Sequence, residues 1–321
     1  MKTNIWKLLF LLLILPAAIQ AQVDFTKADS IANSIITRDI TLEDLAKQLS
    51  ETLESDTEKA RAIYMWVAGN IRYDCRKYRM MGSSVEFSGY SLEEIQQKRA
   101  AYLEKNLQRT LKLRRGVCED YSRLYMALGE AAGLEVTLIT GNARDFNKPY
   151  RKTLGESHAW NAVKLEGQWY LIDATWAAGS TNAEVTRFKS RLSSAYFMVA
   201  PEVLIQTHFP KDPKWQLLPE AIDNKMFAAL PMVNIAEVKF GVEDFSPTME
   251  TRGNKRIIRL KFTNLPKYFM VTTRKSKPIT FKKRLKDGYM ELEISKSTAK
   301  KIIVWVGTST KRMNWVAMYK A

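Results

Sequence analysis

The apolar residues of this chain keep helical spacing as far as Gly133 and alternate after it. A chain that changes period once folds helices first and strands second, which points to an α+β arrangement. On the helical side, Ala60, Ile63, Tyr64, Val67 and Ile71 share one face of 56–74, with Asp56 available as a cap. Residues 25–53 read as one or two helices through Ile31, Ile35, Leu42, Leu45 and Leu49. Residues 76–90 hold glycines and serines and read as a loop. Ser91, with Glu94 three positions on, opens a further helix reaching about residue 112. A last helix starts near Cys118. It should bury Tyr121, Leu124, Tyr125, Leu128 and either Ala131 or Ala132, and stop at Gly133.

On the alternating side, "EVTLITGNAR", "SHAWNAVKL" and "QWYLIDATW" are strand-type runs. The last two are separated by Glu166-Gly167, a two-residue hairpin signal. Residues 178–190 read as a polar loop, and 193–220 as a proline-punctuated exit. From about residue 230, starting with "VNIAEVKFGV", short strands recur at roughly ten-residue spacing, which predicts a small β-sandwich.

Residues 1–21 have Lys2 and Lys7, an apolar run from Leu8 to Leu15, and small residues ending at Ala21. That is the layout of a signal peptide, and its apolar run is too short for a spanning helix. The expectation is an exported protein, periplasmic or extracellular, that is not an integral membrane protein. The chain has no N-x-[ST] sequon, which favours a bacterial setting. The remaining length, about 300 residues, exceeds what one core usually serves, so two domains are expected. Residues 221–321 carry 21 Lys/Arg against 8 Asp/Glu, while 22–220 carry 27 against 26. This asymmetry places a domain boundary at 220 and gives the basic part an affinity for anionic envelope glycans or surfaces. Export argues against nucleic acid as its partner. The densest basic stretch is 272–286, where Arg274, Lys275 and Lys277 cannot all share one strand face, so part of the run should fall in a hairpin tip.

Cys75 and Cys118 are the two cysteines, enough for one bridge and no framework. A cysteine at a helix start meets unpaired backbone N–H groups and the positive end of the dipole, both of which favour thiolate. Gly116 would let the backbone turn closely there, and the Cys118 N–H could line an oxyanion hole. Taken alone, such a cysteine is more readily a small buried hydrophobe. The two histidines, His158 and His208, supply the context. A two-residue turn at Glu166-Gly167 opposes Leu165 to Gln168, hence Trp160 to Asp173 and His158 to Thr175. His158 and Asp173 then become diagonal neighbours on one hairpin face, within reach of an imidazole–carboxylate hydrogen bond. A carboxylate so placed fixes the tautomer of a general base and stabilises its cation. Two histidines and two cysteines leave little for a metal site, no P-loop or GxGxxG is present, and no cofactor is required.

Cys118 in "GVCEDYSRLYMALGEAAGL", His158 in "HAWN" and Asp173 in "WYLIDATW" resemble the Cys–His–Asp triad of the transglutaminase-like superfamily, in its chain order. "AIYMWVAGNIRYD" and "YFMVAPEVLIQTHFPKDPKWQLL" resemble the branch that contains kyphoscoliosis peptidase and a yeast cytokinesis protein. The resemblance implies a papain-like core, a cysteine-bearing helix packed on an antiparallel sheet that bears His and Asp, followed here by the all-β domain. It implies Cys118 as nucleophile, His158 as base and later acid, and Asp173 as the orienting group. Tyr73 is a second oxyanion donor or a buried aromatic, Trp160 and Trp176 are cleft walls or core, and His208 is structural. The function expected is acyl transfer on a peptide or carboxamide bond of a protein or peptide substrate, through a thioester at Cys118. Hydrolysis is preferred to amine transfer because water is always present and no acceptor site is evident. The alternative is a non-catalytic binding or scaffolding protein of the envelope.

Overall fold

A computed structural model describes residues 24–37, 39–80, 87–145, 156–234, 241–295 and 299–320. The leader expected at 1–21, most of the strand expected over 233–242, and the middle of the 76–90 stretch lie outside the described residues. Among the described residues, no helix is long and apolar enough to cross a membrane. The chain divides into two compact units. One comprises Met1–Asn142, Gly155–Pro201 and Pro210–Glu220; the other comprises Ala143–Leu154, Glu202–Phe209 and Ala221–Ala321.

The first unit opens with α1 (Thr26–Ser34), α2 (Leu42–Ser50) and α3 (Asp56–Asn70). The cap of α3 is Ser55, not Asp56: Ser55 Oγ accepts from Glu58 N while Glu58 Oε2 accepts from Ser55 N. Both residues are good caps, and the Ser-x-x-Glu spacing decides between them. The buried Arg61 of α3 reaches α1 through a two-pronged contact with Asp29, at 2.7 and 2.9 Å. Strand β1 (Arg72–Tyr73) follows, then α4 (Cys75–Met80), which corrects the loop reading of its residues. Asp74 starts that turn by accepting from Lys77 N at 2.8 Å.

Helix α5 (Leu92–Leu113), capped by Ser91, ends at Arg114 in a left-handed conformation. The buried Arg114 lies 4.2 Å over the Trp66 ring and donates to Thr37 O at 2.6 Å. The turn there feeds β2 (Arg115–Gly116) and then α6 (Cys118–Ala131). Tyr121, Leu124, Tyr125 and Leu128 form the buried face of α6, while Ala131 is exposed and Ala132 half-buried. Tyr121 Oη donates to Ile71 O and Tyr125 Oη to Ala60 O, so two hydroxyls on the apolar face fasten α6 to α3 and its C-cap.

The sheet of this unit places β3 (Glu135–Ala143) against β4 (His158–Leu165) and β4 against β5 (Gln168–Ile172), both antiparallel. The β4–β5 turn has Glu166 at φ 51° and Gly167 at φ 79°, and Leu165 opposes Gln168 as the two-residue loop requires. The third run does not continue as strand to Trp176. It stops at Ile172, and α7 (Ala174–Ala178) begins with Asp173 as its cap. Within the stretch read as polar loop, Gly179–Thr181 pairs with Phe188–Ser190.

The second unit is built on two antiparallel sheets. One orders the strands Val242–Phe245, Lys255–Phe262, Tyr289–Ser295 and Phe281–Lys286; the other orders Tyr268–Thr273, Lys301–Ser309, Arg312–Lys320 and Met232–Val233. Ile258, Leu260, Leu292 and Ile294 of the first sheet share one core with Val271, Ile302, Val304 and Val306 of the second. That shared core makes the pair a sandwich. On the outer face of the first sheet, Glu291 lies between Arg259 and Arg284 in register. Burial works against the Glu291 charge, but the two guanidiniums outweigh it and hold the carboxyl below its ordinary range. Residues 274–277 form an exposed turn closed by Thr273 N to Lys277 O, so this part of the basic run falls at a hairpin tip. Buried Arg144 donates to the carbonyls of Gln206, Leu230 and Pro231 and lies 4.4 Å over Phe227. Burial lowers its pKa to about 10.

Candidate active site

Cys118 is the first residue of α6 and is half-buried, and both it and the buried Cys75 are free thiols. Its position is set by the parallel pair of β1 and β2, in which Tyr73 faces Gly116. Arg72 N donates to Arg114 O at 3.0 Å and Asp74 N to Gly116 O at 2.8 Å. Gly116 is not there to turn the backbone, as the sequence suggested. A Cβ at this residue would stand 2.5 Å from Asp120 Cβ, so its bareness makes room for Asp120. Asp120 is buried, accepts from Val117 N at 2.7 Å, and receives Lys77 Nζ on both oxygens at 2.7 Å. The peptide just before the cysteine is thereby held by an ion pair rooted in α4.

The imidazole comes from the first residue of β4. His158 Nε2 lies 2.7 Å from Asp173 Oδ2, and both side chains are buried. The Cys118 thiol hydrogen-bonds the same ring. With Nε2 turned to the carboxylate, Nδ1 is the nitrogen left for sulfur. Asp173 is fully buried, and its second oxygen accepts from Trp176 N at 2.8 Å as the cap of α7. Its backbone N–H donates to Tyr196 O at 3.0 Å. Burial alone would push the His158 pKa down, but the Asp173 charge and hydrogen bond, joined by Cys118, raise it to about 10.

The Trp160 ring stacks beside the imidazole at 5.9 Å and 22°, and Trp176 flanks it at 5.7 Å. Tyr73 is half-buried beside Tyr78 and Phe188. Burial, and next the nearby Cys118 charge, push its hydroxyl pKa well up, so it stays a hydrogen-bond donor. His208 is buried in the second unit, its Nδ1 2.8 Å from Thr207 Oγ1.

Three contributors escaped the sequence reading. Asp120 and Lys77 are one pair; Asp120 stands three residues after the helix cap, the spacing from which an acid reaches back to the cap N–H. The third is Asn161 in "HAWN", buried among apolar strand residues. Its Nδ2 donates to Ser122 O of α6 at 3.0 Å and Thr137 O of β3 at 3.2 Å. An amide on an otherwise apolar strand is a readable sign of such a tie.

Residues 43–174 match the family model described as the transglutaminase-like superfamily. That span includes Cys118, His158 and Asp173, so this chain carries a transglutaminase-like superfamily domain. Among curated proteins it is 31% identical over 197 residues to kyphoscoliosis peptidase of Mus musculus, covering 60% of this chain and 27% of that protein. It is 25% identical over 115 residues to cytokinesis protein 3 of Schizosaccharomyces pombe, covering 35% of this chain and 13% of that protein. The chain therefore spans little more than a quarter of the length of these relatives at most. A solved structure described as a TGase is 14% identical with a TM-score of 0.30, covering 60% of this chain and 39% of that one.

The raised His158 pKa has a measurable consequence. A group lifted from 6.5 to about 10 on folding adds stability that is complete below the lower value and is lost as pH rises through the upper one. With two histidines in the chain, ring NMR resolves each. The His158 signal should hold its imidazolium shift from pH 6.5 towards about 10, and Asp173→Asn should bring its titration down. A wild-type midpoint near 6.5 would show that Asp173 does not stabilise the cation.

Proposed function

We propose that the protein is an exported cysteine acyl-transfer enzyme that hydrolyses peptide or carboxamide bonds through a thioester at Cys118. The observation that carries this reading is the alignment of Cys118, His158 and Asp173, with the imidazole bonded on one side to the carboxylate and on the other to the thiol. A binding module would need none of the three aligned, so their agreement favours the enzyme over the non-catalytic alternative.

In this mechanism the Cys118 proton already rests on His158 Nδ1, as the raised imidazole pKa implies, and the thiolate attacks the carbonyl carbon. The Cys118 backbone N–H and the Tyr73 hydroxyl receive the developing oxyanion. The imidazolium, held by Asp173, gives its proton to the leaving amine and the thioester remains. Forming the thioester removes the thiolate that helped to hold the imidazolium, so neutral His158 can take a proton from water, which resolves the thioester. Trp160 and Trp176 keep the ring in plane and shield it from bulk water. A leader at 1–21 supports export, and the basic second unit suits it to anionic envelope polymers.

Iodoacetamide at neutral pH should alkylate Cys118 well before Cys75, whose thiol pKa is raised by burial. Asp173→Asn keeps an oxygen to cap Trp176 N, so the variant should fold while its Cys118 alkylation slows at least about tenfold. Equal rates at the two cysteines, or a folded Asp173→Asn whose Cys118 is alkylated as fast as in the wild type, would remove the triad reading. For the second unit, the full chain should be retained on heparin and released by moderate salt. Joint charge reversal of Lys275, Lys277 and Lys282 should advance its elution; an unchanged elution leaves that run without a binding role.

A further inference from the structure

The sandwich of the second unit contains an arginine where its strand pattern calls for an apolar residue. In Lys255–Phe262, Ile258 and Leu260 point into the core, and Arg256 has their parity. Its Nη1 is buried and, among the described residues, meets no hydrogen-bond partner. The hydroxyl of Tyr319, a residue 2% exposed, is likewise buried without a partner. Buried polar groups left unpaired are uncommon in folded proteins, because their desolvation is uncompensated.

Both residues line one cavity of about 230 Å³, together with Lys320, Thr248, Thr251 and Met249. Lys320 donates to Ala228 O, and an ammonium has two further protons to offer. Burial, then the charge of Arg144, lowers the Lys320 pKa. Asp244 is the carboxylate whose charge reaches Tyr319. Its oxygens are engaged by Phe245 N and the Tyr289 hydroxyl, and among the described residues it makes no ion pair with Arg256 or Lys320. A guanidinium, an ammonium and a phenol belong to the residues that border this one space, and such donors recognise an oxyanion. The volume is several times the roughly 30 Å³ share of a water molecule, which leaves room for more than a bare ion.

We propose that this cavity binds a small organic oxyanion, one carboxylate, sulfate or phosphate group on a sugar-sized body, through Arg256, Tyr319 and Lys320. The site is independent of the chemistry at Cys118 and of the exposed basic run at 274–286. Calorimetric titration of the full chain with glucuronate, glucose 6-sulfate and glucose 6-phosphate tests it, with glucose as neutral control and inorganic phosphate as the bare ion. At least one anionic sugar should bind saturably where glucose does not, and the three compounds distinguish carboxylate, sulfate and phosphate. Arg256→Met should weaken that binding by about tenfold or more. Tyr319→Phe, which keeps the ring in the core, should weaken it by about three- to tenfold and decides the matter if Arg256→Met fails to fold. The site is overturned if no anionic sugar binds, if glucose binds equally, or if a folded variant binds as wild type does. Binding of phosphate alone overturns the sugar-sized ligand. Heparin retention without small-anion binding would overturn this site and leave the surface proposal standing.

Discussion

A carboxylate with no solvent contact is the constraint on which the geometry around Cys118 depends. Asp173 is fully buried, and a buried charge is tolerated only when its oxygens are satisfied. One oxygen caps α7 through Trp176 N and the other holds His158 Nε2. The same side chain thus ends β5, begins the next helix, and orients the imidazole while stabilising its charged form. Cap and orienting group, which look like competing readings of one aspartate, are both present because a carboxylate has two oxygens to give.

The cysteine is held with equal care from the opposite side. A two-residue parallel strand pair, an arginine in left-handed conformation and the Lys77–Asp120 ion pair fix the peptide that precedes α6. Asn161 then ties the body of α6 to the sheet that carries His158. Sulfur and imidazole therefore come from elements joined by directional bonds as well as by apolar packing, and directional bonds fix orientation where packing alone permits sliding.

What could be read in advance was whatever depends on parity and spacing. The β4–β5 register follows from a two-residue turn by counting, and with it the approach of His158 to Asp173. The buried stripe of α6 follows from its period as far as Leu128; of the two alanines offered for its last position, Ala131 is exposed and Ala132 half-buried. What escaped was settled by side-chain hydrogen bonds over short distances. The "IDATW" run alternates like a strand, yet Asp173 captures Trp176 N and turns the chain into a helix. "CRKYRM" is too charged to show a helical stripe, and Asp74 starts its turn from outside. The ion pair of Lys77 and Asp120 joins residues 43 apart, a distance over which no local pattern operates.

These bonds converge on one claim, that Cys118 forms a covalent acyl intermediate with His158 and Asp173 behind it. Rapid quench of the full-length protein with an activated acyl ester, followed by intact-protein mass spectrometry, tests it most directly. The account predicts a mass increase of one acyl group, located on Cys118 by peptide mapping, discharged by hydroxylamine, and absent from Cys118→Ala. A wild-type protein that gains no acyl group, or gains it equally in Cys118→Ala, would contradict it.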